Sequence, residues 1–87
     1  MKLELKKFGT TLSSRPLAKE AWLSTQAYML SDLGPNETVE VDFTGIDVMT
    51  PSWADEYISS LKKAYPDRVV LLPSENKTVQ MSLKFVK

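Results

Sequence analysis

Four carboxylates, Asp42, Asp47, Asp55 and Glu56, fall between positions 42 and 56, with the hydroxyls of Thr50 and Ser52 among them. Clustered carboxylates can hold a divalent metal or exchange protons as a general acid–base pair. Local structure supplies simpler roles. Asp55 and Glu56 stand at the start of an apolar-periodic run, where acidic side chains complement a helix dipole. Asp42 and Asp47 suit the end of a strand and the turn after it. Ser52, with Asp55 three residues on, resembles a capping box. Cysteine and histidine are both absent from the chain. That removes serine–histidine and cysteine–histidine nucleophile systems and the usual zinc sites. The three glycines are isolated, so no glycine-rich loop can cradle a phosphate. The expectation is a protein without catalytic residues, bound metal or cofactor.

The elements that position these groups can be read from the alternation of apolar residues. Leu3 and Leu5 share one face of a strand over residues 2–8, and Leu12 in the following link points inward. The first helix starts at Arg15-Pro16, with proline in the first turn where its missing N–H costs nothing. It runs to about Leu33, where Gly34 supplies a left-handed cap and Pro35 blocks continuation. Leu17, Ala18, Ala21, Trp22, Tyr28, Met29 and Leu33 form its broad inward face. Leu23, Ala27 and Leu30 form a second stripe, either a lip of the core under a neighbouring loop or a partner or self-association surface. Thr38 to Phe43 alternate as the second strand. The second helix carries Trp53, Ala54, Tyr57, Ile58, Leu61, Ala64 and Tyr65 on one face, and Lys62 and Lys63 in its last turn. Arg68 to Leu72 reads as a short buried strand. Residues 77–86 stay open. Val79, Met81, Leu83 and Phe85 alternate as in an edge strand, whereas a helix would turn Val79, Leu83 and Val86 inward.

The element order β-α-β-α-β implies an α/β fold, with helices packed on a small sheet and right-handed crossovers between parallel strands. At 87 residues the chain reads as one domain, residues 1–87, able to bury roughly 60–65% of its unfolded surface. Eleven basic residues balance eleven acidic ones, which disfavours nucleic acid as a partner. No apolar run approaches the roughly 20 residues of a membrane helix, and Met1 to Lys7 lack the apolar core of a signal peptide. A cytoplasmic protein is expected.

Val41-Asp42-Phe43 at the strand end and Trp53-Ala54-Asp55-Glu56 at the helix start carry a family resemblance. The chain resembles the STAS group, named for sulphate transporters and anti-sigma-factor antagonists. Within that group it is similar to a bacterial STAS-like family. Ser14-Arg15 at the first helix, and Asn76 followed by Val79, fit the same pattern. The resemblance spans residues 9 to 86, and it implies that the last segment is a helix capped at Asn76.

The resemblance also implies a function. Asp42-Phe43-Thr44-Gly45 matches the Asp-Leu-Ser-Gly of anti-sigma-factor antagonists, and Ser52 falls on the serine that an anti-sigma kinase phosphorylates. Thr50, Pro51 and Trp53 depart from that motif. Ser52, with Thr50 as a second choice, is therefore the candidate phosphoacceptor. The implied surface comprises Asp47, Met49, Thr50, Ser52, Trp53, Asp55 and Glu56. Its implied partner is a histidine-kinase-type ATPase domain or an anti-sigma-like regulator. The expected function is protein–protein regulation in bacterial signalling. A self-associating structural module, a homodimer through the first helix, is the alternative. Arg15, at the helix start, reads as a solvated turn residue or as an ion-pair partner of Asp42 or Asp47.

Overall fold

A computed structural model describes residues 1–86. Strand β1 (Lys2–Glu4) leads through a 3-10 turn (Leu5–Phe8) to β2 (Thr11–Leu12) and helix α1 (Arg15–Tyr28). Strands β3 (Val39–Asp42) and β4 (Val48–Met49) precede α2 (Pro51–Ala64), and β5 (Val69–Leu71) precedes α3 (Lys77–Leu83). The α/β class and the helices packed on a small sheet follow the expectation. The sheet has the order β1-β3-β5, and both pairings are parallel. A second parallel pair, β2-β4, sets Thr11 beside Val48 and Leu12 beside Met49. Two-residue strands are too short to show a period, so the sequence offered them only as connecting links.

The sheet buries one face. Leu3, Val39 and Val41 are fully inside, while Lys2, Glu40 and Val70 are exposed on the other side. Helices α1 and α2 pack against each other. Trp53, Tyr57, Ile58 and Leu61 of α2 supply much of the core, as their helical spacing predicts. The contact face of α1 is built from small residues, Ala18, Ala21 and Thr25. The Thr25 hydroxyl donates to Ala21 O at 2.8 Å, so the Tyr57 hydroxyl, 2.7 Å away, donates to Thr25 Oγ1. Burial pushes the Tyr57 phenol well above the ordinary tyrosine range, and the hydrogen bond to Thr25 opposes that shift.

Several expectations need correction. β1 ends at Glu4 and the chain enters the 3-10 turn, although Leu5 stays in the core. Helix α1 stops at Tyr28, short of Leu33. The N–H groups of Met29 and Leu30 both turn back to Thr25 O at 3.0 Å. That closes the helix and directs Leu30 into the core, which removes Leu30 from the outer stripe. Leu23 and Ala27 remain exposed. Gly34 lies outside the left-handed region, so its part is a loop contact, its N–H donating to Glu37 Oε1. Leu17 and Tyr28, expected inside, are 52% and 82% exposed. The narrow alanine–threonine face lets α1 sit close to α2, and side chains flanking it project past the contact. β5 is a half-buried edge strand rather than a buried one, because it borders only β3.

The ambiguous terminal segment is helical. Asn76 caps α3 by accepting from the N–H groups of Thr78 and Val79. Val79 is buried, Leu83 and Val86 pack on the core, and Met81 and Phe85 are left outside. This is the arrangement that the family resemblance implies. Among the described residues, no helix is long and apolar enough to cross a membrane.

Candidate functional site

The loop from Thr44 to Thr50 joins β3 to α2 and is tied down along its length. Asp42 closes the strand end: its Oδ1 accepts from the Thr44 hydroxyl at 2.7 Å and from the Thr44 N–H at 3.0 Å. Those two bonds, more than the neighbouring Lys2 ammonium, hold the Asp42 carboxyl below its usual range, and burial opposes them. Gly45 adopts φ +86°, the region where a side chain is strained, and the chain reverses there. The N–H groups of Asp47 and Val48 donate to Thr10 O, and that of Thr50 to Leu12 O at 2.9 Å.

From the opposite side, α3 and its cap grip the same loop. Asn76 Nδ2 donates to Ile46 O at 2.8 Å and to Asp47 O at 2.9 Å. The Met49 N–H donates to Thr78 Oγ1, and the Ser82 hydroxyl donates to Met49 O at 2.6 Å. In the sequence Asn76 is legible only as a cap, and Thr78 and Ser82 are not among the expected site residues. The visible signal was the position of Thr78 beside that cap. No periodicity marks Ser82 as a buried donor.

The start of α2 differs from the expected capping box. Thr50 is the N-cap, accepting from the Trp53 N–H at 3.4 Å, and Pro51 is the first helical residue. Proline fits that position because it has no N–H to leave unpaired. Ser52 is thereby moved inside the helix, with its hydroxyl 3.4 Å from that of Thr50. Asp55 and Glu56 fall beyond the first turn, so the dipole argument gives way to an ion pair. Arg15 Nη2 lies 3.0 Å from Asp55 Oδ2, and Nη1 lies 3.8 Å from Glu56 Oε1. Arg15 thus clasps α1 to α2 rather than reaching Asp42 or Asp47. Asp55 also accepts from the Ser59 hydroxyl.

Of the expected partner-binding residues, Asp47 is exposed, and Thr50, Ser52, Asp55 and Glu56 are half-buried. Met49 and Trp53 are 2% and 1% exposed. They support the loop from beneath and offer a partner no surface on the loop itself. Val48, within the same loop, is exposed beside Asp47. The four carboxylates do not converge. Among the described residues, no group of three or more His, Cys, Asp or Glu is placed to hold a metal.

The reassigned cap gives a clear expectation. Thr50→Val should cost about 0.5–2 kcal/mol through loss of the helix cap, whereas Ser52→Ala should stay within about 0.5 kcal/mol of wild type. Urea denaturation of both variants checks this, and the reverse order would return the cap to Ser52.

A hydroxyl-bearing loop leads from a parallel strand into a helix N-terminus, with helices packed on the sheet; this is the architecture of a STAS-like domain. The chain belongs to the family described as a STAS-like domain of unknown function (DUF4325), whose model matches residues 27–80. That span holds the end of α1, the whole β3-loop-α2 segment and the cap of α3. No curated protein and no solved structure matches the chain.

Proposed function

We propose that this domain is a non-enzymatic interaction module of bacterial signalling, related in action to anti-sigma-factor antagonists. Its docking surface is the Asp47–Ser52 loop together with the outward side of the α2 start. One observation carries this reading. The loop is bonded to β2 on one side and to α3 on the other, yet it leaves Asp47 and Val48 exposed and Ser52 partly so. A surface fixed before contact loses little entropy on binding.

The partner in this reading is a histidine-kinase-type ATPase domain or an anti-sigma-like regulator, and Ser52 is the switch. Ser52 stands one helical turn before Asp55 and Glu56, on their face. A phosphate there adds a charge of about −1.5 to −2. It would repel both carboxylates and compete with them for Arg15, changing the α1–α2 clasp along with the docking surface. Thr50 is the poorer acceptor, because its oxygen is engaged in the cap.

A photo-crosslinking residue at Val48, compared with one at exposed Lys63 at the far end of α2, tests the assignment in the native cell. An ATPase-domain protein should be captured from Val48 and not from Lys63, and less of it with Ser52→Asp. Equal capture from both positions would remove the loop as the docking surface.

Exposed Leu23 and Ala27, one helical turn apart on α1, favour a second reading, self-association through that helix. A dimeric mass in sedimentation that Leu23→Glu converts to a monomer would support it.

A further inference from the structure

The fold treats the two edges of the β2-β4 pair differently. On the outer edge of β4, α3 supplies side chains for the backbone. Thr78 accepts from the Met49 N–H, Ser82 donates to Met49 O, and Asn76 donates to the carbonyls of Ile46 and Asp47. Among the described residues, none supplies such cover to the outer edge of β2. The carbonyls of Thr10 and Leu12 accept from the β4 segment. Alternation along a parallel ladder therefore turns the N–H and C=O of Thr11 to the other side. Among the described residues, no strand pairs there.

A hollow of about 230 Å³ lies beside this free edge, in the cleft between β2 and α1. Leu12, Ala21 and Trp53 line it together with Phe8 and Leu17, and Glu20 contributes a carboxylate. Among the described residues, Glu20 has no ion-pair partner. The volume falls below the roughly 300–1,000 Å³ of sites that enclose a small molecule, but it accommodates one aliphatic side chain. Unpaired backbone groups at the lip of a side-chain-sized hollow, apolar in part and edged by the hydroxyls of Ser13 and Ser24, are what strand addition requires: main-chain bonds for affinity and a pocket for specificity. An exposed edge left unprotected is otherwise a liability that folds cover, as α3 does for β4.

We propose that the cleft between β2 and α1 binds an extended peptide segment of a partner protein. The segment pairs its backbone with Thr11, places one aliphatic side chain in the hollow and sets a lysine or arginine against Glu20. This surface is separate from the Asp47–Ser52 loop. Trp53 connects the two, since it lines the hollow and its backbone N–H is held by the Thr50 cap.

Selection from a display library of random linear peptides against the intact protein provides the probe. Enriched peptides should share an aliphatic residue near a lysine or arginine. Their affinity should fall about tenfold or more for Glu20→Lys and for Leu17→Glu. Both positions are exposed, so circular dichroism should confirm an unchanged fold. Methylating the pairing amide of the peptide should weaken binding similarly, and amide exchange at Thr11 should slow on binding. The proposal is overturned if no family of peptides is enriched, or if enriched peptides bind both variants as they bind wild type. It is equally overturned if Thr11 exchange slows with rising protein concentration alone, which would make a second copy of the chain the occupant.

Discussion

Trp53→Ala is expected to cost about 3–5 kcal/mol, the usual loss for a large aromatic removed from a core. Domains of this kind are stabilised by only about 5–15 kcal/mol in total, so this variant should stand close to unfolding. Trp53 is fully buried and stacks on Tyr57 with ring centroids 4.7 Å apart and planes 21° apart. Tyr57 in turn meets the edge of Trp22 and the ring of Phe8, and its hydroxyl reaches Thr25 on α1. Removing the indole therefore loosens the seam between α1 and α2 and opens the floor of the β2-α1 cleft. Trp53→Phe keeps a ring on Tyr57 and should cost distinctly less. Chemical denaturation of the pair separates a core anchor from a contact residue. Wild-type stability in Trp53→Ala would contradict the burial seen here and return the indole to the surface.

Asn76→Ala should show the second large effect, about 2–4 kcal/mol. One cap is worth about 1 kcal/mol, and each further hydrogen bond about 0.5–1.5 kcal/mol. Asn76 supplies both. Its oxygen accepts from the Thr78 and Val79 amides and from the Thr78 hydroxyl at 2.6 Å, and its amide group donates to two loop carbonyls. Asn76→Asp keeps the acceptor and loses both donors. It should preserve α3 while releasing the loop, giving faster amide exchange at Asp47 and Val48 with a smaller loss of global stability. If Asn76→Ala stays within about 0.5 kcal/mol of wild type, the latch between α3 and the loop carries no weight.

Elements with a strong period were legible in the sequence, and elements defined by long-range contacts were not. Trp53, Tyr57, Ile58 and Leu61 announce α2 because a single period explains all of them. In the last segment, Val79 and Leu83 fit both a helix and a strand, so periodicity could not decide. The Asn76 cap decides it, and that residue type is the local clue. The end of α1 was misplaced because Leu30 continues the helical stripe, although the chain leaves the helix after Tyr28 and brings Leu30 inward by another route. The α2 cap was placed on Ser52 because Ser52 and Asp55 have capping-box spacing. The proline between Thr50 and Ser52 was the better guide. Arg15 found partners on α2 rather than at the strand end, since crossing geometry between helices leaves no trace in local sequence. Thr78 and Ser82 escaped notice for the same reason: their partner, Met49, lies far off along the chain.

The parallel register bears on how the chain reaches this structure. Among the described residues, every strand pairing joins distant segments: Lys2 meets Glu40, Thr11 meets Val48, and Val39 meets Val69. No tight hairpin can form first and template the next strand. Each pairing must wait until an intervening helix has closed the chain back on itself, so loop-closure entropy is spent before any ladder bond rewards it. Non-local topology of this kind slows folding by orders of magnitude relative to helical bundles of similar size. The α1–α2 seam around Thr25, Trp22 and Tyr57 is then the natural place for a nucleus. Until β1 and β5 pair with it, β3 has two bare edges and an uncovered Val39–Val41 face, and the folding chain is most open to association with its own copies at that stage.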